Sequence, residues 1–218
     1  MNTKIKTQNK PGYNLTDLRL IDKTVLKERI NHTQLKTEHS FIIHKWKSGD
    51  EQLPVFYKIE DTRIGEVLIA ATEKGVTYLG FVNNDMQYIL HDLKKRFPDN
   101  VLIDQDSKWL NLAFDRINDP SLQSKLSLHL KGTEFQYNIW EKLVMIPKGG
   151  LSTYGSLSKE SRDARAVGGA VGANPVSYFI PCYRVVRTDG SFNGYFWGND
   201  KKEKLLIYEM SNMIGENQ

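Results

Sequence analysis

The sequence predicts an α+β protein: a small antiparallel sheet with helices, followed by a helical C-terminal part containing a helix-turn-helix. Two observations predict it. Between Val55 and Val82 apolar residues alternate at the period of a strand. From Asp85 onward they recur at three- and four-residue intervals behind capping residues, the pattern of amphipathic helices. The 218 residues divide into a polar, basic extension of unknown role over 1–52, a sheet-forming part over 53–131 and a helical part over 132–218.

Residues 1–52 are rich in Lys and Asn, with a weak helical pattern at 16–35. The runs Val55-Phe56-Tyr57-Lys58-Ile59, Val67-Leu68-Ile69-Ala70 and Val76-Thr77-Tyr78-Leu79-Gly80-Phe81 are broken at Thr62-Arg63-Ile64-Gly65 and Glu73-Lys74-Gly75, which predicts a three-stranded meander. Asp85 caps a helix that carries Met86, Ile89, Leu90, Leu93 and Phe97 on one face, and Ser107 precedes another with Trp109, Leu110, Ala113, Phe114 and Ile117 inward. Thr133 and Gln136 make a capping box for a third, whose buried stripe is read as Phe135, Ile139, Leu143 and Ile146. After Pro147-Lys148-Gly149-Gly150 come short helices at 154–159 and 162–173, joined through Glu160-Ser161 in helix-turn-helix geometry. Gly168, Gly169 and Gly172 each cost the second helix up to about 1 kcal/mol relative to alanine. Such small residues serve close approach, either to the core or to a narrow DNA groove.

Thirty Lys and Arg against 26 Asp and Glu give a formal charge of +4, compatible with nucleic-acid binding. The excess lies in residues 1–50, where it adds phosphate affinity at most. One cysteine excludes an intramolecular disulfide, and neither a signal core nor a membrane-length apolar run is present, so an intracellular protein is expected, cytoplasmic in a bacterium and nuclear in a eukaryote. No cysteine-rich zinc site is possible and the five histidines have no ligand spacing, so no metal or other cofactor is expected.

The cysteine lies in Ile180-Pro181-Cys182-Tyr183-Arg184-Val185-Val186. An unpaired cysteine is either a small buried hydrophobe or a nucleophile, and a guanidinium from Arg184 or Arg187 favours the thiolate that the second role needs. The turn-rich aromatic segment from Arg187 to Gly198 reads as a loop, where sites are commonly built.

This segment resembles the Pro-Cys-His-Arg-Val motif of the O6-alkylguanine-DNA alkyltransferases, also called methylated-DNA-protein-cysteine methyltransferases. Gly132-Thr133-Glu134-Phe135-Gln136, Ile139-Trp140, Ile146-Pro147, Thr153-Tyr154, Arg165-Ala166-Val167-Gly168 and Asn174-Pro175 precede it in the family's order, and Lys202, Leu205-Leu206 and Glu209 follow. The resemblance covers about 132–210 and extends more weakly back to about residue 55. It implies a ribonuclease-H-like N-terminal domain, a winged-helix-like alkyltransferase domain and no cofactor. The implied partner of the monomer is double-stranded DNA containing O6-alkylguanine, with O4-alkylthymine as a second candidate.

The resemblance also implies roles. A glycine-rich helix bearing Arg165, Ala166, Gly168 and Gly169 enters the minor groove, and Arg165 fills the space left by a flipped nucleotide. Tyr154 and Arg184 contact DNA, and Asn174 is the hinge of the active-site loop. Carbonyls at Cys182 and Val185 read the guanine, Tyr195 and Phe196 line the alkyl pocket, and Lys202 is a pocket lysine. Cys182 keeps the alkyl group as a thioether, so each molecule acts once. The departure is Tyr183, where the family has a histidine held by a glutamate matching Glu209. Tyrosine, with a reference pKa near 10, is a poor general base at neutrality. Three outcomes follow: slower proton relay, a thiolate maintained by Arg184 and helix dipoles, or an alkyltransferase-like lesion sensor with little transfer. A helix-turn-helix transcriptional regulator is a further alternative, though the small side chains of 162–173 do not suit major-groove readout. A cysteine hydrolase lacks a histidine after His129.

Overall fold

A computed structural model describes residues 23–36, 40–83, 85–122, 124–158 and 164–215. Strands β2 (Val55–Thr62), β3 (Gly65–Thr72) and β4 (Gly75–Phe81) form the predicted antiparallel meander. Val67 to Phe81 is apolar on both sides of the pleat and almost wholly buried, which makes these the central strands.

The sheet is larger than the meander and mixed rather than wholly antiparallel. Its order is β1-β6-β4-β3-β2-β5, with β1 (Phe41–Lys45), β5 (Leu102–Asp104) and β6 (Leu126–Leu130) all in parallel pairs. Helices α2 (Met86–Arg96) and α3 (Lys108–Asn118) supply the crossovers that parallel neighbours require. Strands of three to five residues carry too few alternations to be seen in sequence. The sheet therefore begins at Phe41, inside the segment read as an extension, and the boundary at residue 52 falls within it. As an edge strand β1 is only partly buried, and its short apolar run Phe41-Ile42-Ile43 stands alone in a polar segment.

Asp85 and Ser107 cap α2 and α3 as predicted, and Ile89, Leu93, Leu110, Ala113, Phe114 and Ile117 are buried; Met86 is exposed. Helix α4 (Glu134–Val144) opens with both bonds of the Thr133–Gln136 capping box. Its buried face is Tyr137, Ile139, Trp140, Leu143 and Val144, whereas Phe135 is 44% exposed because the first turn projects past the core. Trp140 Nε1 donates to the Ala170 carbonyl at 2.9 Å and so fixes α6 (Ala164–Gly172) against α4. Helix α5 (Tyr154–Leu157) is a single turn, shorter than the predicted 154–159, and the Glu160-Ser161 joint lies outside the described residues. The two-stranded ladder of β7 (Ser152–Thr153) with β8 (Val185–Val186) and the terminal helix α7 (Asn199–Gly215) complete the C-terminal part.

Helix α1 (Lys23–His32) falls within the predicted 16–35 helix, whose earlier part lies outside the described residues. It packs on the C-terminal part, not on the sheet: Leu26 is fully buried, and Lys23 and Leu26 crowd against Gly190. Among the described residues no helix is long and apolar enough to cross a membrane.

The sheet is joined directly to the segment that precedes the cysteine. Leu79 N–H donates to the Pro175 carbonyl at 2.9 Å, and Ser177 N–H donates to the Leu79 carbonyl at 3.1 Å. Gly80 leaves room for the Trp197 indole, since a Cβ there would come within 2.5 Å of it. The central strand thus holds both ends of the cysteine loop.

Candidate active site

Asn174 organises the turn that leads to Cys182. Its Nδ2 donates to the Ile180 carbonyl at 2.7 Å, and its Oδ1 accepts from Val176 N–H at 3.0 Å. Within this turn Tyr178 adopts a φ of +74°, a conformation that costs a non-glycine residue about 1 kcal/mol or more. Its ring stacks on Tyr183 at 6.3 Å, which helps to hold it. Pro181 then starts the single 3-10 turn Cys182–Arg184.

The Cys182 side chain is almost wholly buried and lies at the floor of a cleft of about 60 Å³. Tyr154, Gly168, Asn174, Cys182, Tyr195, Phe196 and Lys202, all singled out from sequence, line it. So do Gly172, noted above only as a small helical residue, and Val171, Ser177, Gly194 and Trp197, which were not singled out. Of these, Ser177 and Trp197 form a pair, the indole N–H donating to Ser177 Oγ at 2.7 Å. Only the position of Trp197 in the aromatic loop hinted at this.

Burial pushes the Cys182 thiol pKa up. Hydrogen bonds from Asn174, Tyr195 and Ser177 and the charge of Lys202 oppose it. The Tyr195 hydroxyl is 3.9 Å from Sγ. Burial also raises Tyr154 and Tyr195, so both hydroxyls are neutral donors. Lys202, in the first turn of α7, is brought down by burial to about 8 while Cys182 opposes the fall, and its Nζ donates to the Val185 carbonyl at 2.5 Å. The carbonyl expected to read a base is therefore engaged by the pocket lysine.

Behind the cysteine turn lies a second cluster. Tyr183 is fully buried and its hydroxyl donates to Glu209 Oε1 at 2.6 Å. Arg184 donates to the same carboxylate from Nε at 3.0 Å and from Nη2 at 2.5 Å, and to the Ile146 carbonyl from Nη1 at 2.5 Å. Gly149 N–H completes the cluster with a 3.2 Å bond to Glu209 Oε2. Arg184, expected to meet DNA and to support the thiolate, turns inward instead because a buried carboxylate requires a paired cation. The cation that faces the thiol is Lys202. Tyr183 is paired with Glu209 as expected, but as a donor to a carboxylate already held by Arg184.

Across the cleft, α6 buries Val167, Ala170 and Val171 and exposes Arg165, Ala166 and Gly169. Among the described residues, a Cβ at Gly168, Gly169 or Gly172 would meet nothing within 4 Å. Packing inside the protein therefore does not call for these glycines, and the core reading of the helix fails.

A family model described as 6-O-methylguanine DNA methyltransferase, DNA binding domain, matches residues 134–211. The chain is 32% identical over 174 residues to the bifunctional transcriptional activator/DNA repair enzyme Ada of Escherichia coli, which spans 77% of this chain and about half, 49%, of that relative. The inducible methylated-DNA–protein-cysteine methyltransferase of Bacillus subtilis is 33% identical over 147 residues, covering 65% of this chain and 82% of its own. Among solved structures, the Mycobacterium tuberculosis O6-methylguanine methyltransferase aligns with a TM-score of 0.59 at 29% identity, over 72% of this chain and 93% of its own. The same bacterium's OGT in complex with DNA aligns with a TM-score of 0.58 at 29% identity and the same coverage. The methylated-DNA–protein-cysteine methyltransferase of Methanosarcina barkeri is 34% identical over 166 residues, covering 73% of this chain and 99% of that one. Identity of that degree along the whole of a relative, on a shared fold, establishes that the chain belongs to the methylated-DNA–protein-cysteine methyltransferase family.

Proposed function

We propose that this protein repairs double-stranded DNA by direct reversal, moving a methyl or other alkyl group from O6 of guanine irreversibly onto Cys182. The observation that carries this is the juxtaposition of the sole cysteine, at the floor of a small cleft lined with hydroxyl, amide and ammonium donors, with a helix face of glycines that none of the described residues occupies. A base stacked in a duplex cannot reach such a thiol, so the nucleotide is extruded into the cleft. The exposed Arg165 stands on the face that meets the duplex, with Ala166, Gly168 and Gly169 allowing close approach to the minor groove. Tyr154 stands at the cleft and Asn174 holds its turn. Tyr195 and Phe196 bound the alkyl group.

In the transfer the S–C bond forms as the C–O6 bond breaks, and guanine leaves with the electron pair and takes up a proton. Lys202, Asn174, Tyr195 and Ser177 stabilise the attacking thiolate. Tyr183 does not take the thiol proton; it tethers the cysteine turn to Glu209. The product thioether has no leaving group, so one molecule performs one repair. In this reading the sheet, β1 included, is the ribonuclease-H-like supporting domain. The winged-helix-like part from residue 132 binds DNA and accepts the alkyl group, and the protein works as a monomer without a cofactor.

The test is intact-protein mass after incubation with duplex carrying O6-methylguanine, beside undamaged duplex and Cys182→Ala. A gain of one methyl that requires both lesion and cysteine is expected. Tight lesion binding without any gain would establish a sensor instead. The names of the relatives speak for transfer, and the open glycine face of α6 does not favour a major-groove regulator.

A further inference from the structure

We propose that α1 and the residues just after it act as a brace that positions the catalytic turn, with Arg29 as the positioning residue; this rests on the transfer reading above. The brace works on the 145–151 segment. Lys36 N–H donates to the Met145 carbonyl at 2.8 Å, and Thr33 Oγ1 accepts from Leu151 N–H at 2.8 Å while donating to the Arg29 carbonyl at 2.7 Å. Between these two anchors Arg29 Nη1 donates to the Gly149 carbonyl at 3.1 Å.

Gly149 is the connecting point. Its φ of +70° is a conformation that favours glycine, and it points the carbonyl at Arg29 and the N–H at Glu209. Glu209 in turn holds Tyr183 and Arg184, the two residues that share a single helical turn with Cys182. A continuous path of bonds therefore runs from α1 to the nucleophile: Arg29, Gly149, Glu209, Tyr183, Cys182. Leu26 seats the helix, and Lys23 and Leu26 lie against Gly190 in the turn that follows β8, so α1 touches both the 145–151 segment and the turn after β8. The brace residues Lys23 to Lys36 lie before residue 134, where the family model match begins, and the segments they hold lie within it.

The effect to measure is orientation of the thiol rather than lesion affinity. The experiment compares wild type, Arg29→Ala, Arg29→Lys and Thr33→Val in single-turnover methyl transfer, in binding to lesion duplex, and in amide exchange at Gly149 without DNA. Arg29→Ala is expected to speed Gly149 exchange, to slow transfer about tenfold and to leave the dissociation constant within about twofold. Arg29→Lys, which retains a cationic N–H donor, is expected to recover most of the rate. In a Glu209→Gln background the Arg29→Ala change should add little, because both act through one path. Wild-type transfer with Gly149 exchange and rate unmoved by Arg29→Ala overturns the brace alone. Equal losses of rate and of lesion binding overturn it as well. Absence of transfer in the wild type overturns the function and the brace's catalytic consequence with it.

Discussion

Tyr183 keeps its proton at any physiological pH. Burial pushes its phenol well above the ordinary value; Arg184 opposes this, and the Glu209 carboxylate adds to it. Tyr183 thus offers the thiol no general base; the thiol's own pKa is raised by burial, and the reactive fraction grows with pH. Lys202, at about 8, supports the anion only while charged. Transfer rates are therefore expected to climb from pH 6 to about 8 and then to flatten as Lys202 loses its proton; single-turnover rates across pH 6–10 would show it, and a flat profile would mean that thiol ionisation does not limit the reaction. Tyr183→His supplies a base that titrates near neutrality, so transfer at pH 7 should quicken by about tenfold or more. An unchanged rate would mean that a base at position 183 does not reach the thiol proton. The cysteine and most of its cleft were legible in the sequence because they fall in one contiguous motif. The inward turn of Arg184, and the passing of its expected role to Lys202, were not. Which cation faces a thiol depends on where α7 docks, and no local pattern records that.

Helix α6 shows the same division one level up. Its glycines were visible as a propensity cost, but only the empty space around them decides between core and groove. Gly169→Ala places its Cβ in open space and should raise stability by up to about 1 kcal/mol while weakening lesion-duplex binding. Urea unfolding and a binding titration on one preparation would test the opposed signs, and stabilisation with full binding retained would take α6 away from the DNA. The helices announced themselves through caps, the Thr133–Gln136 box most completely, and the meander through alternation. The short strands did not, since β7 and β8 have two residues each and exist only as each other's partner. The docking of α1 was equally silent, because one buried leucine leaves no periodic stripe.

At the scale of the whole molecule, an acid-sensitive cluster among the described residues lies outside the cleft. Asp50, just after β1, accepts from Lys74, from Lys47 N–H and from His129, whose other ring nitrogen meets Thr72 Oγ1 at 2.7 Å. Burial raises the Asp50 pKa, but these bonds outweigh it and bring the group down to about 2. A depressed carboxylate stabilises the fold above its unfolded value of about 3.8 and loses that contribution as pH falls through its folded value. Burial also lowers His129, so protonation of the unfolded chain below about 6.5 draws in the same direction. Stability should therefore decline from about pH 6.5 downward and more steeply below 4, with Asp50→Asn removing the steep part. Unfolding midpoints measured from pH 7 to 3 would reveal this, and identical slopes for the two proteins would mean that Asp50 carries none of it.

The bonds from Leu79 to Pro175 and Ser177 tie this acid-sensitive sheet to the reagent itself. Under the proposed single transfer, a protein's capacity is counted in molecules, not in turnovers. Any chain whose central strand lets go of the cysteine loop is then one lesion left unrepaired, so fold stability sets the cell's supply of repair events directly.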